Sequence, residues 1–221
     1  MITRLQQWMV KLLKPPEPSY HYKRPLLQQV DAALLSPGRR ILDLGSGGRR
    51  LAPGIVSLDI DPHNVDVVAD AAHLPFRERV FDLIISTAVL EHVPDVCETV
   101  HEIGRCCRDD GHIYIEIPFL QTYHGHPFDY RRLTLVGLEA VFTGFNKICS
   151  GVCVGPFSTL AWYLRKLPRA LAGDGIGGQF CEFCAGWLTF WIKYFDAFWP
   201  GARHAHQVAS GLFFYGVKKP Q

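Results

Sequence analysis

Short aliphatic runs separated by turn residues dominate the chain from residue 41 onward. The runs are nearly continuous in their apolar character, which is typical of strands in a parallel sheet covered on both faces. We predict five such strands, at Ile41–Leu44, Ile55–Leu58, Val65–Ala69, Phe81–Ser86 and His112–Ile117.

Helical spacing appears between the last two runs and again after them. Apolar residues recur at helical intervals between Val96 and Cys107 and predict a helix that ends before Gly111. A second helix is predicted from Thr134, whose hydroxyl is suited to capping it, and the stretch GLFFYGVKK predicts a final strand. Alternating strands and helices indicate an α/β protein with a doubly wound, mostly parallel sheet.

The connections that follow the first two predicted strands are short. Only residues 49–54 separate the turn after the first strand from the second strand, and the connection from Asp59 to Val65 is equally short. A parallel crossover usually needs about a dozen residues or more. The helices after strands 1 and 2 are therefore predicted to be shortened to a turn each or absent.

Two helical segments flank the predicted sheet. Residues 1–39 predict an N-terminal helical cap, and residues 156–200 predict an apolar helical hairpin inserted before the last strand. Residues 40–155 and 201–221 then form the sheet domain.

The second hairpin helix has an apolar face too wide to remain bare in water. We interpret the hairpin as a cap over the cleft or as a contact with another subunit. The alternative is a helix pair lying on a membrane surface, supported by Trp162, Tyr163 and Arg165 in the first helix. The charged residues argue against a full membrane span.

Composition narrows the classes of function. The chain has 221 residues, 48% of them hydrophobic, and a net charge of +2, so no basic field indicates a nucleic-acid partner. Its first residues lack the long apolar core and cleavage site of a secretory signal. Its seven cysteines are therefore predicted to be thiols in a reducing compartment. We expect a cytoplasmic protein, with peripheral membrane contact as the alternative.

The stretch ILDLGSGGRR, residues 41–50, predicts a buried strand that enters a glycine turn. A dinucleotide fingerprint would need G-x-G-x-x-G, and Arg50 stands at its third glycine position. This departure argues against a dinucleotide and favours a cofactor without phosphates.

Acids follow the next two predicted strands, with Asp59 after the second and Asp70 after the third. Because the carboxyl ends of parallel strands meet at one edge of the sheet, both acids are expected to face the same crevice. There Asp59 is suited to ribose hydroxyls and Asp70 to an adenine amine.

Five motifs, taken in their order along the chain, resemble the class I S-adenosylmethionine-dependent methyltransferases of the type 11 group. They are ILDLGSGG, LDIDP, VVADAAHLPF, FDLIISTAVLEHVPD and GHIYIEIP. The resemblance implies S-adenosylmethionine as the cofactor and a Rossmann-like sheet with an antiparallel last strand. The residues that it assigns to the cofactor are Asp43, Gly45, Ser46 and Gly47 along the methionine part, Asp59 at the ribose with Ile60 as a further contact, Asp70 and Ala71 at the adenine, and Thr87 near the sulphonium.

Methyltransferases of quinone-type phenols carry E-x-x-E-H after the fourth strand and bind a metal through its acids. This sequence has Ala88 in place of the first acid, ahead of Glu91 and His92, so we predict no metal.

The loop PFLQTYHGHPFDYRRLT is similar to a stretch that borders the acceptor pocket in the resembling family. Histidine is a natural base near neutral pH. The candidate catalytic residues are therefore His92, His126 and Asp129.

The predicted function is methyl transfer from S-adenosylmethionine to a small-molecule or lipid- or glycan-type acceptor, at oxygen. The competing hypothesis is a catalytically degenerate subunit of the same fold, or a membrane-associated binding module, because the turn has so little helix beside it.

Overall fold

The protein is described by a computed structural model over residues 14–22, 38–125, 127–200 and 202–220. The predicted helices of the N-terminal cap and the candidate base His126 lie outside the described residues. Within the described ranges the chain forms two compact units, one from residues 14–22 and 154–210 and the other from residues 38–153 and 211–220. We refer to them as the hairpin unit and the sheet unit.

A seven-stranded sheet forms the core of the sheet unit, in the order β3-β2-β1-β4-β5-β7-β6. Its strands are β1 Ile41–Leu44, β2 Val56–Asp59, β3 Val67–Val68, β4 Phe81–Thr87, β5 Cys107–Pro118, β6 Phe145–Val154 and β7 Gly211–Lys218. The first five strands pair in parallel, and β7 runs antiparallel to β5. The predicted mostly parallel sheet with an antiparallel last strand is confirmed.

Strand β5 begins earlier than the sequence indicated, at Cys107 rather than at His112. Asp110 takes a left-handed conformation with φ of 59°, and the pairing register shifts between Cys107 and His112. The Asp-Gly signal therefore marks an irregularity within the strand rather than its boundary, because Cys107 still pairs with Phe81 of β4.

Two helices of the sheet unit begin at side-chain caps. Helix α1 spans Val96–Cys106, and the carboxylate of Asp95 accepts hydrogen bonds from the backbone of its first turn. Helix α2 spans Leu135–Val141, and the Thr134 hydroxyl accepts from Gly137 N, as predicted.

The segment from β1 to α1 confirms the shortened connections. Residues 45–95, all of which the structure describes, contain no helix. An open cavity of about 560 Å³ is lined by residues 50–56, which connect β1 to β2, and by Asp66.

The hairpin unit is built from helix α3, Pro156–Ala172, helix α4, Ile176–Thr189, and a 3₁₀ helix, Phe190–Phe198. Asp196 is fully buried and accepts hydrogen bonds from the backbone of Phe157 and from both the backbone and hydroxyl of Ser158. This carboxylate thereby caps α3 from across the hairpin, which ties the 3₁₀ helix to it.

Much of the apolar surface of α4 and the 3₁₀ helix remains exposed, including Phe180, Leu188, Trp191 and Phe198. Among the described residues, no helix combines the length and the apolar character needed to cross a membrane.

Candidate active site

The glycine turn after β1 is fixed against β2 by backbone hydrogen bonds. The N–H groups of Gly45 and Ser46 both donate to the carbonyl oxygen of Leu58, at 2.8 and 3.0 Å. Gly47 N donates to the Asp59 carboxylate at 2.7 Å. The turn and the acid predicted at the end of β2 are therefore held together as one structural element.

Two glycines of this turn are required for different reasons. Gly45 has φ of +70°, and a Cβ there would lie 2.2 Å from Val89 Cγ2. Gly47 also has a left-handed φ, of +58°, but a Cβ there would meet nothing within 4 Å. The open space in front of Gly47 lets a ligand approach the backbone closely.

Asp43, the last but one residue of β1, presents a buried carboxylate to this turn. It is 1% exposed, and its nearest cation is Arg49, whose Nη2 lies 3.6 Å from Asp43 Oδ1. The same nitrogen donates to Thr87 Oγ1 at 2.9 Å. Burial raises the pKa of Asp43, and Arg49 only partly opposes this effect.

Several buried oxygen atoms at the carboxyl ends of β1 and β4 have no hydrogen-bond partner among the described residues. They are both carboxylate oxygens of Asp43 and the hydroxyls of Ser46 and Ser86. Leu44 and Ser86 are register partners on β1 and β4, so Ser86 lies at the same sheet edge as the turn. Buried polar atoms are normally satisfied, and this group therefore fits a polar ligand that supplies the missing partners.

The remaining residues predicted to bind cofactor lie at the ends of β2 and β3. Asp59 Oδ1 also accepts from Asp61 N, and Ile60 beside it is 68% exposed. Asp70 accepts from Ala72 N in a tight turn that includes Ala71. The exposed Ile60 side chain and the Asp70 turn border the same strand ends as Asp43, which suits the nucleoside part of the cofactor.

The loop after β5 is tied to the segment that follows β4. Tyr130 N donates to the Glu91 carbonyl oxygen at 2.7 Å, and Arg131 Nη2 donates to Pro94 O at 2.5 Å. His92 Nδ1 lies 2.6 Å from the carbonyl oxygen of Phe128. These contacts bring side chains from two distant parts of the sequence together.

At their meeting point lies a cluster of Glu91, His92 and His124, called here the Glu91 cluster. Glu91 is fully buried, and its Oε1 lies 3.4 Å from His124 Nε2 and 3.7 Å from His92 Nε2. The two imidazole rings meet edge to face with centroids 5.3 Å apart. The contact with Glu91 raises the pKa of His124 above its ordinary value, and burial opposes this shift.

Asp129, predicted as a catalytic residue, is bound on both oxygens. Arg132 donates to each of them, and His124 N donates to Oδ2 at 3.1 Å. Burial raises the pKa of Asp129, but these hydrogen bonds outweigh it, and the pKa lies below its ordinary value. These contacts indicate that Asp129 fixes the conformation of the loop around His124.

Sequence reasoning left Glu91, His124 and Arg49 without a role. Glu91 and His124 stood within quoted motifs, but nothing in their spacing indicated that they meet. The signal for Arg49 was its place directly after Gly48 in a turn beside a buried acid. The predicted cofactor residues all lie at the carboxyl edge of the strands, and their individual roles stay predictions.

Strand order, glycine turn and strand-end acids together define an α/β protein that binds a nucleoside-type cofactor at one sheet edge. A family model described as a methyltransferase domain matches residues 19–150, which is more than half of the chain. None of the curated proteins compared matches the sequence significantly.

Three solved structures illustrate the likeness in fold. The cyclase SpnF has a TM-score of 0.53 and 18% identity, over 85% of this chain and 77% of that one. A candidate sarcosine dimethylglycine methyltransferase from Galdieria sulphuraria has a TM-score of 0.53 and 15% identity, over 85% and 81%. Phosphoethanolamine N-methyltransferase 2 of Haemonchus contortus, in complex with S-adenosylmethionine, has a TM-score of 0.51 and 18% identity, over 83% and 49%.

The chain belongs to the methyltransferase domain family and is an S-adenosylmethionine-dependent methyltransferase of class I. The predicted family, fold, enzyme class and cofactor are thereby confirmed. The unpaired oxygens of Asp43 and Ser46 fit the ammonium and polar groups of the methionine part of this cofactor, and the role of Asp59 at its ribose stays a prediction. When bound, the cofactor supplies an activated methyl group on sulphur.

Proposed function

We propose that this enzyme transfers the methyl group of S-adenosylmethionine to an oxygen atom of a small-molecule acceptor. The observation that carries the proposal is the Glu91 cluster, in which a buried carboxylate meets two imidazoles. Methyl transfer from a sulphonium is an in-line displacement that depends mainly on alignment. A hydroxyl acceptor must also lose its proton, and carboxylate and imidazole groups favour that loss.

The loop after β5 is the proposed wall of the acceptor pocket. His92 remains a candidate catalytic residue through its place in the cluster, and His124 joins it there. Asp129 is proposed as a positioning residue, because both of its oxygens are already bound by Arg132. His126 lies outside the described residues and stays a sequence prediction.

A lipid- or glycan-linked acceptor is the second candidate, favoured by the exposed aromatic surface of the hairpin unit. Tyr194 and Trp199 are half exposed in addition to the residues named above. Tryptophan and tyrosine are enriched where proteins meet the membrane interface. On this proposal the enzyme is cytoplasmic and attaches peripherally to a membrane. Flotation of the full-length protein with anionic vesicles supports it, and a protein that never floats contradicts it.

The acceptor atom is tested with methyl-labelled S-adenosylmethionine and matched pairs of hydroxyl and amine acceptors, with mass spectrometry of the products. We expect label on oxygen alone, and loss of that label in Glu91→Gln. Label on the amines contradicts the proposal. If the protein binds S-adenosylhomocysteine but transfers no methyl group to any of the acceptors, the degenerate-subunit hypothesis is favoured. The cyclase SpnF shows that a similar fold also serves other reactions.

A further inference from the structure

The hydrogen bonds of His92 fix which of its ring nitrogens carries the proton. Its Nδ1 lies 2.6 Å from the Phe128 carbonyl oxygen, which can only accept. Nδ1 therefore carries a proton, which leaves Nε2, 3.7 Å from Glu91 Oε1, as the ring nitrogen that can bind a metal.

His124 is oriented in a similar way, with Nδ1 toward its own loop and Nε2 toward Glu91. Its Nδ1 lies 3.3 Å from the Thr122 carbonyl oxygen and 3.7 Å from the Asp129 carboxylate, which are acceptors, and 3.4 Å from Arg132 Nη2, which is a donor. Its Nε2 points at Glu91 Oε1, 3.4 Å away. A histidine that binds a metal through Nε2 usually donates its Nδ1–H to a carbonyl or carboxylate oxygen, as His92 does to Phe128.

Glu91 gives an independent indication. Its side chain is fully buried, and neither oxygen accepts a hydrogen bond of good geometry from the described residues. A buried carboxylate without hydrogen bonds of good geometry is strongly unfavourable unless a cation lies beside it.

The spacing of the three donor atoms suits a single ion. One donor each from Glu91, His92 and His124 lies within 4.8 Å of the others. Two donors at about 2.0–2.1 Å from one tetrahedral metal ion lie roughly 3.3 Å apart. The distances of 3.4 and 3.7 Å from Glu91 Oε1 to the two imidazoles are close to this spacing.

We propose that Glu91, His92 and His124 bind one divalent transition-metal ion of the zinc class. Two imidazoles and one carboxylate form a ligand set used by catalytic zinc and by non-haem iron, and imidazole favours such metals over magnesium or calcium. Three protein ligands leave at least one position open. Resting here on the proposed function, an acceptor hydroxyl in that position loses its proton more readily.

This proposal departs from the sequence-based prediction of no metal. That prediction followed from Ala88, which replaces the first acid of E-x-x-E-H. The fold instead brings His124 from the loop after β5 to Glu91 and His92.

The test uses full-length protein stripped with a chelator and then titrated with cobalt(II) and zinc(II). Visible absorption of bound cobalt and elemental analysis after gel filtration give the stoichiometry, and thermal midpoints report folding. We expect one equivalent, with affinity lowered tenfold or more in both Glu91→Gln and His124→Gln. His101→Gln, an exposed histidine on α1, is the matched control and should bind like the wild type.

Failure to bind either metal overturns the proposal, since Glu91 and the two histidines would then interact only through a shared proton. Unchanged affinity in folded Glu91→Gln and His124→Gln overturns it equally, because the metal would sit elsewhere. Calorimetry with S-adenosylhomocysteine on the same samples separates the two proposals. Cofactor binding without metal uptake removes only this inference, whereas metal uptake with a methyl label found on amines removes only the oxygen acceptor.

Discussion

Replacing Asp43 with Asn tests the assignment of the buried acid at the end of β1. The substitution keeps the shape of the side chain and removes its charge. The carboxylate is 1% exposed, and Arg49 is its nearest described cation at 3.6 Å, too far for a strong hydrogen bond. Both oxygens are thus available to the cofactor, and the loss should appear in binding.

The expected magnitude follows from one charge-assisted hydrogen bond in a buried setting. Such a bond contributes about 1.5–3 kcal/mol. Because about 1.4 kcal/mol corresponds to a tenfold change in dissociation constant, Asp43→Asn should bind S-adenosylhomocysteine roughly 10- to 150-fold more weakly. Isothermal titration calorimetry measures this directly, and NAD serves as a ligand that should not bind.

Asp61→Asn is the matched control, since Asp61 is an exposed acid at the same sheet edge. Its affinity should stay close to that of the wild type. Thermal melting of both variants shows whether the fold is retained. If folded Asp43→Asn binds within twofold of the wild type, Asp43 does not contact the methionine part, and the reasoning from its unpaired oxygens fails.

Two further predictions concern the turn and the pH dependence of stability. Gly45→Ala places a Cβ against Val89 at a left-handed φ and should lower the thermal midpoint by several degrees, consistent with about 1–3 kcal/mol of overpacking. Gly47→Ala, whose Cβ would meet open space, should lower the midpoint less. Equal shifts in the two variants would contradict this. Asp82 is buried, and although burial raises its pKa, hydrogen bonds and charge from Arg40 N and Arg108 hold the pKa below its ordinary value. The stabilisation of the fold by Asp82 is therefore present above the ordinary pKa of Asp and lost as pH falls through the lowered value. In urea unfolding, Asp82→Asn should lose less free energy of unfolding on acidification than the wild type. Parallel pH dependences of the two proteins would refute this.

The amino-acid sequence by itself determined the sheet, its order of motifs and the class of cofactor. Apolar runs such as Phe81–Thr87 determine buried strands, and the glycines after Leu44 determine a left-handed turn. Both are local effects, because they depend on the residues at those positions. The absence of crossover helices after β1 and β2 followed from the short length of those two connections alone. The start of β5 was misplaced, because a single left-handed residue at Asp110 interrupts a strand without ending its pairing.

Only the tertiary structure decided which polar side chains meet. Arg49 reaches both Asp43 and Thr87, and His124 reaches Glu91, across loops whose paths depend on long-range backbone contacts. No periodicity in the sequence encodes such distances. Thr87 stands far along the chain from Arg49, as Glu91 does from His124, and these contacts exist only once the sheet has brought the ends of β1, β4 and β5 to one edge.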